Sequence, residues 1–471
     1  MTYKNPIIRG FYPDPSVCRV GSKYYLVTST FHYFPGVPVF ESDDLINWKQ
    51  IGHCLTRESQ LPLEGCHTSG GIFAPTIRYN KGRFYMTTTN VTAGGNFYVY
   101  TDDIYGEWSE PIWVKQEGID PSLYFEGTSA FFMSNGHDSA GKPAILQTEI
   151  NIDTGELIGE TRALWGGTGG RYLESPHLYR IGDYYYLTVA EGGTEYGHMV
   201  TYARSKSLWG PFEAYPDNPV LTNRNLGGYV IQGVGHADLV DDPQGNWWIF
   251  HLGFRQISKW EPFHHLGRET FLMPVDFSED GWFTIPGGVT LETVETLRIT
   301  AEQKYDDSIT ENDWIYLRKF EKNKYDFSGD SIGIKPGGFM AVRQREFDME
   351  VSVSVKVNDG SAGLTVYMDE NHHYDLVYDG TAVKLMLNIG DIKHEAKSLD
   401  LSGEVKLKIT SDSINYRFFA NEIELGKAQT RYLSSEVACG FTGVVVGLFS
   451  QSSENEQGSE FNEFLEFTVS Y

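Results

Sequence analysis

The stretch G-D-Y-Y-Y-L-T-V (182–189) runs from a tight turn into an aromatic-rich strand, and its reading decides the fold because the pattern occurs five times. The other copies are G-S-K-Y-Y-L-V-T (21–28), K-G-R-F-Y-M-T-T (81–88), G-T-S-A-F-F-M-S (127–134) and G-N-W-W-I-F-H-L (245–252). A short lead-in precedes each copy: D-P-S-V (14–17), A-P-T-I (74–77), D-P-S-L (120–123), S-P-H-L (175–178) and H-A-D-L (236–239). Pro15, Pro75, Pro121, Pro176 and Ala237 thus recur at intervals of 60, 46, 55 and 61 residues. Four-stranded sheets repeated around an axis need about 40–50 residues each, and insertions lengthen that. Five such units predict a five-bladed β-propeller. A long β-sandwich is the competing architecture, but it does not require one lead-in motif at five spaced positions.

Beyond the last copy the aromatic repeats stop, and Gly287 to Lys304, rich in Thr, Glu and Leu, reads as the exit from the propeller. The expected division is a propeller over 1–295 and a second domain over 305–471. In the latter, Met349, Val351, Val353, Val355 and Val357 alternate with Glu350, Ser352, Ser354 and Lys356, the period of an antiparallel strand with one wet face. Similar runs at Tyr374 to Tyr378, Ala382 to Asn388, Val405 to Ile409, Ile414 to Phe419, Gly443 to Phe449 and Phe464 to Ser470 predict a C-terminal β-sandwich. The fold class is therefore all-β.

Composition narrows the function. The 471 residues carry 38 Lys and Arg against 63 Asp and Glu, a net charge of −25 that repels nucleic-acid phosphates and anionic lipid surfaces. Neutral small molecules fit better than nucleic acid or membrane. Tyr, Phe and Trp make up 14% of the chain, and their flat apolar faces suit sugar rings. No apolar run approaches the roughly 18 residues of a membrane span, and the first ten residues lack the apolar core of a secretory signal, so a cytoplasmic protein is expected. Cys18, Cys54, Cys66 and Cys439 have no C-x-x-C spacing and are expected to be buried free thiols.

If the lead-ins are equivalent, their first residues share one end of the innermost strands around the central channel. Blade one contributes Asp14, blade three Asp120, blade four Ser175 directly after Glu174, and blade five His236. Three carboxylates and an imidazole then share one mouth. Crowded carboxylates raise each other's pKa, which suits a site where one acid stays protonated while another ionises. Taken singly, each has a bland reading: Asp-Pro starts turns, and a lone His is usually packing. Phe31 and Phe73 are candidate walls for a sugar ring or inter-blade core, and Arg268 in L-G-R-E-T (266–270) could bind hydroxyls or restrain a carboxylate.

The stretches F-Y-P-D-P-S-V (11–17), T-S-T-F-H-Y-F-P-G-V-P-V-F (28–40), S-G-G-I-F-A-P-T-I-R-Y (69–79), G-I-D-P-S-L (118–123), L-E-S-P-H-L-Y (173–179), G-V-G-H-A-D-L-V (233–240) and L-G-R-E-T-F-L (266–272) resemble glycoside hydrolase family 43. The resemblance spans nearly the whole chain. It implies a propeller followed by a sandwich and an inverting, exo-acting β-D-xylosidase or α-L-arabinofuranosidase, with a sandwich loop partly covering the site. It further implies Asp14 as general base, Glu174 as general acid and Asp120 as the carboxylate that tunes the acid. Phe31 and Phe73 would line the sugar, Arg268 would contact its hydroxyls and His236 would lie beneath. No cofactor is required. Some relatives hold calcium or water near His236, so Ca2+ is a possible occupant there, although the sequence shows no ring of oxygen ligands. Sandwich-bearing relatives often associate, which makes a homo-oligomer a possible state. Better-known xylosidases of the group carry Trp at the position of Phe73, which brings the arabinofuranosidase reading level with the xylosidase one. A carbohydrate-binding propeller without catalysis is the alternative function.

Overall fold

Alternating apolar and polar positions, interrupted by glycine turns, produce strands almost throughout the computed structural model, which describes residues 1–452 and 459–471. Contacts divide the chain into two compact units, Met1–Trp260 with Arg268–Asp306, and Glu261–Gly267 with Asp307–Tyr471.

The first unit contains five four-stranded antiparallel sheets. Their innermost strands are Ser16–Val20, Thr76–Asn80, Ser122–Glu126, Glu174–Ile181 and Ile231–Asp241, each followed by the aromatic strand of its repeat. Each inner strand touches the next, and the fifth touches the first, so the blades close into a ring around a channel. The aromatic strands supply the filling between blades: Tyr85 packs on Phe125, and Tyr124 on Tyr185, with centroids 5.1 and 6.3 Å apart. Closure between blades one and five is reinforced outside the sheets. Thr2–Lys4 pairs antiparallel with Thr293–Glu295, and the Asn5 side chain donates to the Leu272 carbonyl and accepts from its amide, both at 2.9 Å.

The second unit stacks a seven-stranded sheet on a six-stranded one. Met349–Lys356 lies inside the larger sheet, where Val351, Val353 and Val355 are buried while Glu350 and Lys356 face water. Leu364, Val366, Leu376, Leu385 and Leu448 from the smaller sheet complete the core. The seven residues Glu261–Gly267, which the sequence reading leaves in the propeller, belong to this unit: the His265 carbonyl accepts from the Val444 amide at 2.9 Å, and Glu436 accepts from the His264 amide at 3.1 Å. One expectation about cysteines fails. Cys18, Cys54 and Cys66 are buried free thiols, but Cys439 is exposed, because it follows the four-residue helix Ser435–Ala438 in a left-handed conformation instead of lying on a strand.

Candidate active site

Four of the five lead-in positions share an unusual backbone. Asp14, Asp120, Ser175 and His236 have φ of 56°, 53°, 55° and 50°, a left-handed conformation that costs a residue with a Cβ about 1 kcal/mol or more. At Ser175 and His236 the pairing with the neighbouring strand also slips, between Glu174 and His177 and between Gly235 and Ala237. Such bulges re-aim side chains. The same strained turn in different blades brings Asp14, Asp120 and His236 to one place: His236 Nδ1 lies 3.8 Å from both Asp14 Oδ1 and Asp120 Oδ2.

Asp14 is buried and held from several sides. The Ser29 hydroxyl donates to its Oδ2 at 2.5 Å, and Arg268 Nη1 donates to its Oδ1 at 2.9 Å. Burial pushes the Asp14 pKa up, but Arg268, His236 and Ser29 together outweigh it and hold the carboxyl below its ordinary value. Glu174 and Asp120 go the other way. Burial and the Asp14 charge raise Glu174 to about 7, while burial and the charges of Glu174 and Asp14 raise Asp120 well above the carboxylate range. The two titrate as a pair. Burial also lowers the His236 pKa, against the raising influence of the Asp14 charge.

Arg268 Nη1 donates to the Thr194 hydroxyl at 2.9 Å, and its guanidinium lies 5.6 Å from the Phe31 ring centre. Phe31 is 2% exposed, between Phe11 at 5.9 Å and Phe73 at 5.4 Å, so the aromatic side of the site is a packed cluster. Its peptide is paired both ways with Ile72 across Gly71. Gly71 has φ 82°, and a Cβ there would stand 2.4 Å from the Phe31 carbonyl oxygen. Gly71→Ala is expected to lower stability by more than about 1 kcal/mol and to displace Phe31. Thermal unfolding checks this, and an unchanged Tm would contradict it.

Four residues near the site escape the sequence reading. Ser29 lies in the quoted T-S-T run, and the glycine-rich connection E-G-G-T-E-Y-G-H (191–198) carries the rest. Thr194 binds Arg268. His198 Nδ1 donates to the Gly233 carbonyl at 3.2 Å, and burial lowers its pKa to about 3. Glu191, fully buried, accepts from the amides of Thr168 at 3.0 Å and Gly170 at 2.8 Å and from the Thr201 hydroxyl at 2.6 Å. It thereby secures the turn that leads into Glu174. The three glycines of 191–198 are the signal that marks this connection as closely packed.

Calcium takes six to eight oxygen ligands. Around His236 the carboxylate oxygens of Asp14 are already taken by Arg268 and Ser29, Asp120 adds one further carboxylate, and the other near groups are the His198 imidazole and the Arg268 guanidinium, far short of six to eight oxygens. These residues do not fit a calcium ion. Among the described residues, no group of three or more His, Cys, Asp or Glu is arranged to hold a metal.

The profile of Glycosyl hydrolases family 43 matches residues 3–283, the span that carries every one of these side chains. The chain belongs to this family. Residues 335–469 of this family 43 glycosidase match the Beta xylosidase C-terminal Concanavalin A-like domain. It is similar to a non-reducing end alpha-L-arabinofuranosidase of Bacteroides ovatus, 39% identical over 98% of this chain and 94% of the relative. It is also similar to a xylosidase/arabinosidase of Butyrivibrio fibrisolvens, 36% identical over 99% and 98% of the two chains. Among solved structures, a family 43 protein of a Bacteroides ovatus xyloglucan locus superposes with a TM-score of 0.93 at 37% identity, covering 100% of both chains.

Proposed function

We propose that this glycosidase inverts configuration and acts from chain ends, releasing β-D-xylose, α-L-arabinofuranose or both from neutral hemicellulose-derived oligosaccharides. The observation that carries the reading is the split of carboxyl pKa values within one channel mouth: Glu174 is raised to about 7, and Asp14 is held below its ordinary value. At neutral pH one is an acid with a proton to give and the other a base with room for one. In the reaction Glu174 donates its proton to the glycosidic oxygen as the bond to the anomeric carbon breaks. Asp14 takes a proton from the water that attacks the opposite face, through an oxocarbenium-like transition state. Arg268 keeps Asp14 ionised, and its contact with Thr194 fixes where a sugar hydroxyl meets the guanidinium. Asp120 holds the shared proton near Glu174. Phe31 and Phe73 form the apolar side.

All acid–base steps fall to side chains, so the reading needs no cofactor. The names of the two relatives support both pentoses, and Phe73 in a position where a larger ring would narrow the site supports including the furanose. The test is hydrolysis of aryl β-D-xylopyranoside and aryl α-L-arabinofuranoside side by side, with the first-formed anomer read by NMR. Turnover of either with inverted product is expected, and the ratio of kcat/KM values assigns the sugar. Sugar binding without turnover by folded protein would instead support the non-catalytic propeller.

The pH profile follows from the same groups. Raising the pH through about 7 removes the Glu174 proton, so activity falls on the alkaline side near that value. Acidification protonates Asp14 only below its ordinary carboxyl pKa, so activity persists into acid solution. A kcat/KM profile that still climbs above neutrality would contradict the assignment.

A further inference from the structure

One step deeper along the channel, the third residue of each lead-in forms a second ring: Ser16, Thr76, Ser122, His177 and Asp238. Arg78, two residues after Thr76 on the same strand, reaches into this ring. Its Nη1 donates to Asp238 Oδ2 at 2.7 Å and its Nη2 to Asp238 Oδ1 at 3.0 Å, a two-pronged pair. Nη1 also donates to the Ser16 hydroxyl at 3.2 Å, and Nη2 to His177 Nδ1 at 2.8 Å. Asp238 is fully buried and further accepts from the Ser16 hydroxyl at 2.6 Å, the Val17 amide at 3.1 Å and the Tyr179 hydroxyl. Thr76 ties in blade three through the Pro121 carbonyl at 2.9 Å.

One planar cation thus touches the inner strands of blades one, four and five from blade two. Those are the blades that carry Asp14, Glu174 and His236; Asp120 stands on blade three, which Thr76 reaches. Ser16 follows Asp14 by two residues, Asp238 follows His236 by two, and His177 follows Glu174 by three. The ring also offers a reason why calcium does not suit this axis: the channel already holds a fixed positive charge, matched by one carboxylate. We propose that the Arg78 guanidinium is the built-in axial cation of this propeller and a positioning group that sets the separation of Asp14 from Glu174. The proposal rests on reading those two as base and acid.

A flexible ammonium cannot replace a planar fork that meets three strands at once. Misplacing catalytic groups by about 1 Å can cost about 10²-fold in rate, so Arg78→Ala is expected to lower kcat by that order with KM little changed. Loss of one partner of a buried pair is expected to lower Tm by about 10 °C. Arg78 is 16% exposed at its side chain, so a small cation can reach the vacated place. Millimolar guanidinium is expected to restore about a tenth of the lost kcat and to raise the Tm of Arg78→Ala, whereas urea does neither. EDTA and CaCl2 are expected to leave wild-type activity unchanged.

Wild-type kcat in Arg78→Ala would overturn the proposal, as would a raised KM at unchanged kcat or recovery with calcium in place of guanidinium. If Arg78→Ala does not fold, Arg78→Lys keeps the charge and loses the fork. A lowered kcat in that variant supports the proposal, and wild-type kcat overturns it. If the wild type cleaves neither pentoside, the functional reading has failed. The Tm response of Arg78→Ala to guanidinium then still decides the axial cation.

Discussion

Glu174→Gln lowers kcat on a xylose disaccharide or an arabinofuranosyl oligosaccharide by about 10²–10⁴-fold, the usual contribution of a general acid. The amide is nearly the same shape as the acid but has no proton to give at the glycosidic oxygen. A sugar-alkoxide leaving group needs that proton, and a dinitrophenolate does not. The loss is therefore expected to shrink sharply on the dinitrophenyl glycoside, and the alkaline limb near 7 is expected to vanish from its pH profile. Steady-state kinetics on the two substrates check this. Equal losses on both would mean that Glu174 acts otherwise than as the acid.

Asp14→Asn removes the base and produces a loss of similar size, about 10²–10⁴-fold, but one that a better leaving group does not relieve. The contrast between the two variants separates acid from base. A second effect has a definite sign. Burial and Asp14 raise the Glu174 pKa and Arg268 lowers it, so with Asp14 neutralised burial still raises it but the Arg268 charge is no longer opposed by a neighbouring carboxylate, and the pKa falls. The alkaline limb of the residual activity should move to lower pH. Stability also falls, because Arg268 is left buried without a counter-charge; breaking such a pair costs about 3–5 kcal/mol, and the Asn carbonyl, still an acceptor for Nη1, keeps the loss near the lower end. An alkaline limb that stays near 7 would mean the two carboxyls do not sense one another.

The blades were legible because each aromatic strand is buried on both faces and so repeats as a dense run of Tyr, Phe and Trp. Their outer strands carry no common motif, since each packs against different loops. In the second unit, Met349–Lys356 was visible through its alternation. Ile392–Asp400, an edge strand of mostly exposed residues, has no apolar stripe to read. The same contrast governs the site. Asp14, Asp120 and His236 stand at repeated positions, and the structure brings both aspartates to 3.8 Å from His236. Ser29, Thr194, His198 and Glu191 sit on connections that differ from blade to blade, so no repeat points to them. Sequence also could not show the packing around Phe31, because an aromatic residue reads alike whether it faces a ligand or its neighbours.

The left-handed turns at Asp14, Asp120 and His236 bear on how this enzyme can be altered. Asp, Asn and His are among the few side chains that tolerate this backbone, whereas β-branched residues there are outliers. In saturation libraries at these three positions most members would carry an added backbone cost of about 1 kcal/mol or more, and backbone intolerance would be scored as catalytic necessity. Asn is the one clean probe at the two aspartates. Phe73 and Thr194 have no such constraint on φ, so a search for altered sugar preference has more sequence space to explore at those two side chains than anywhere on the strained ring.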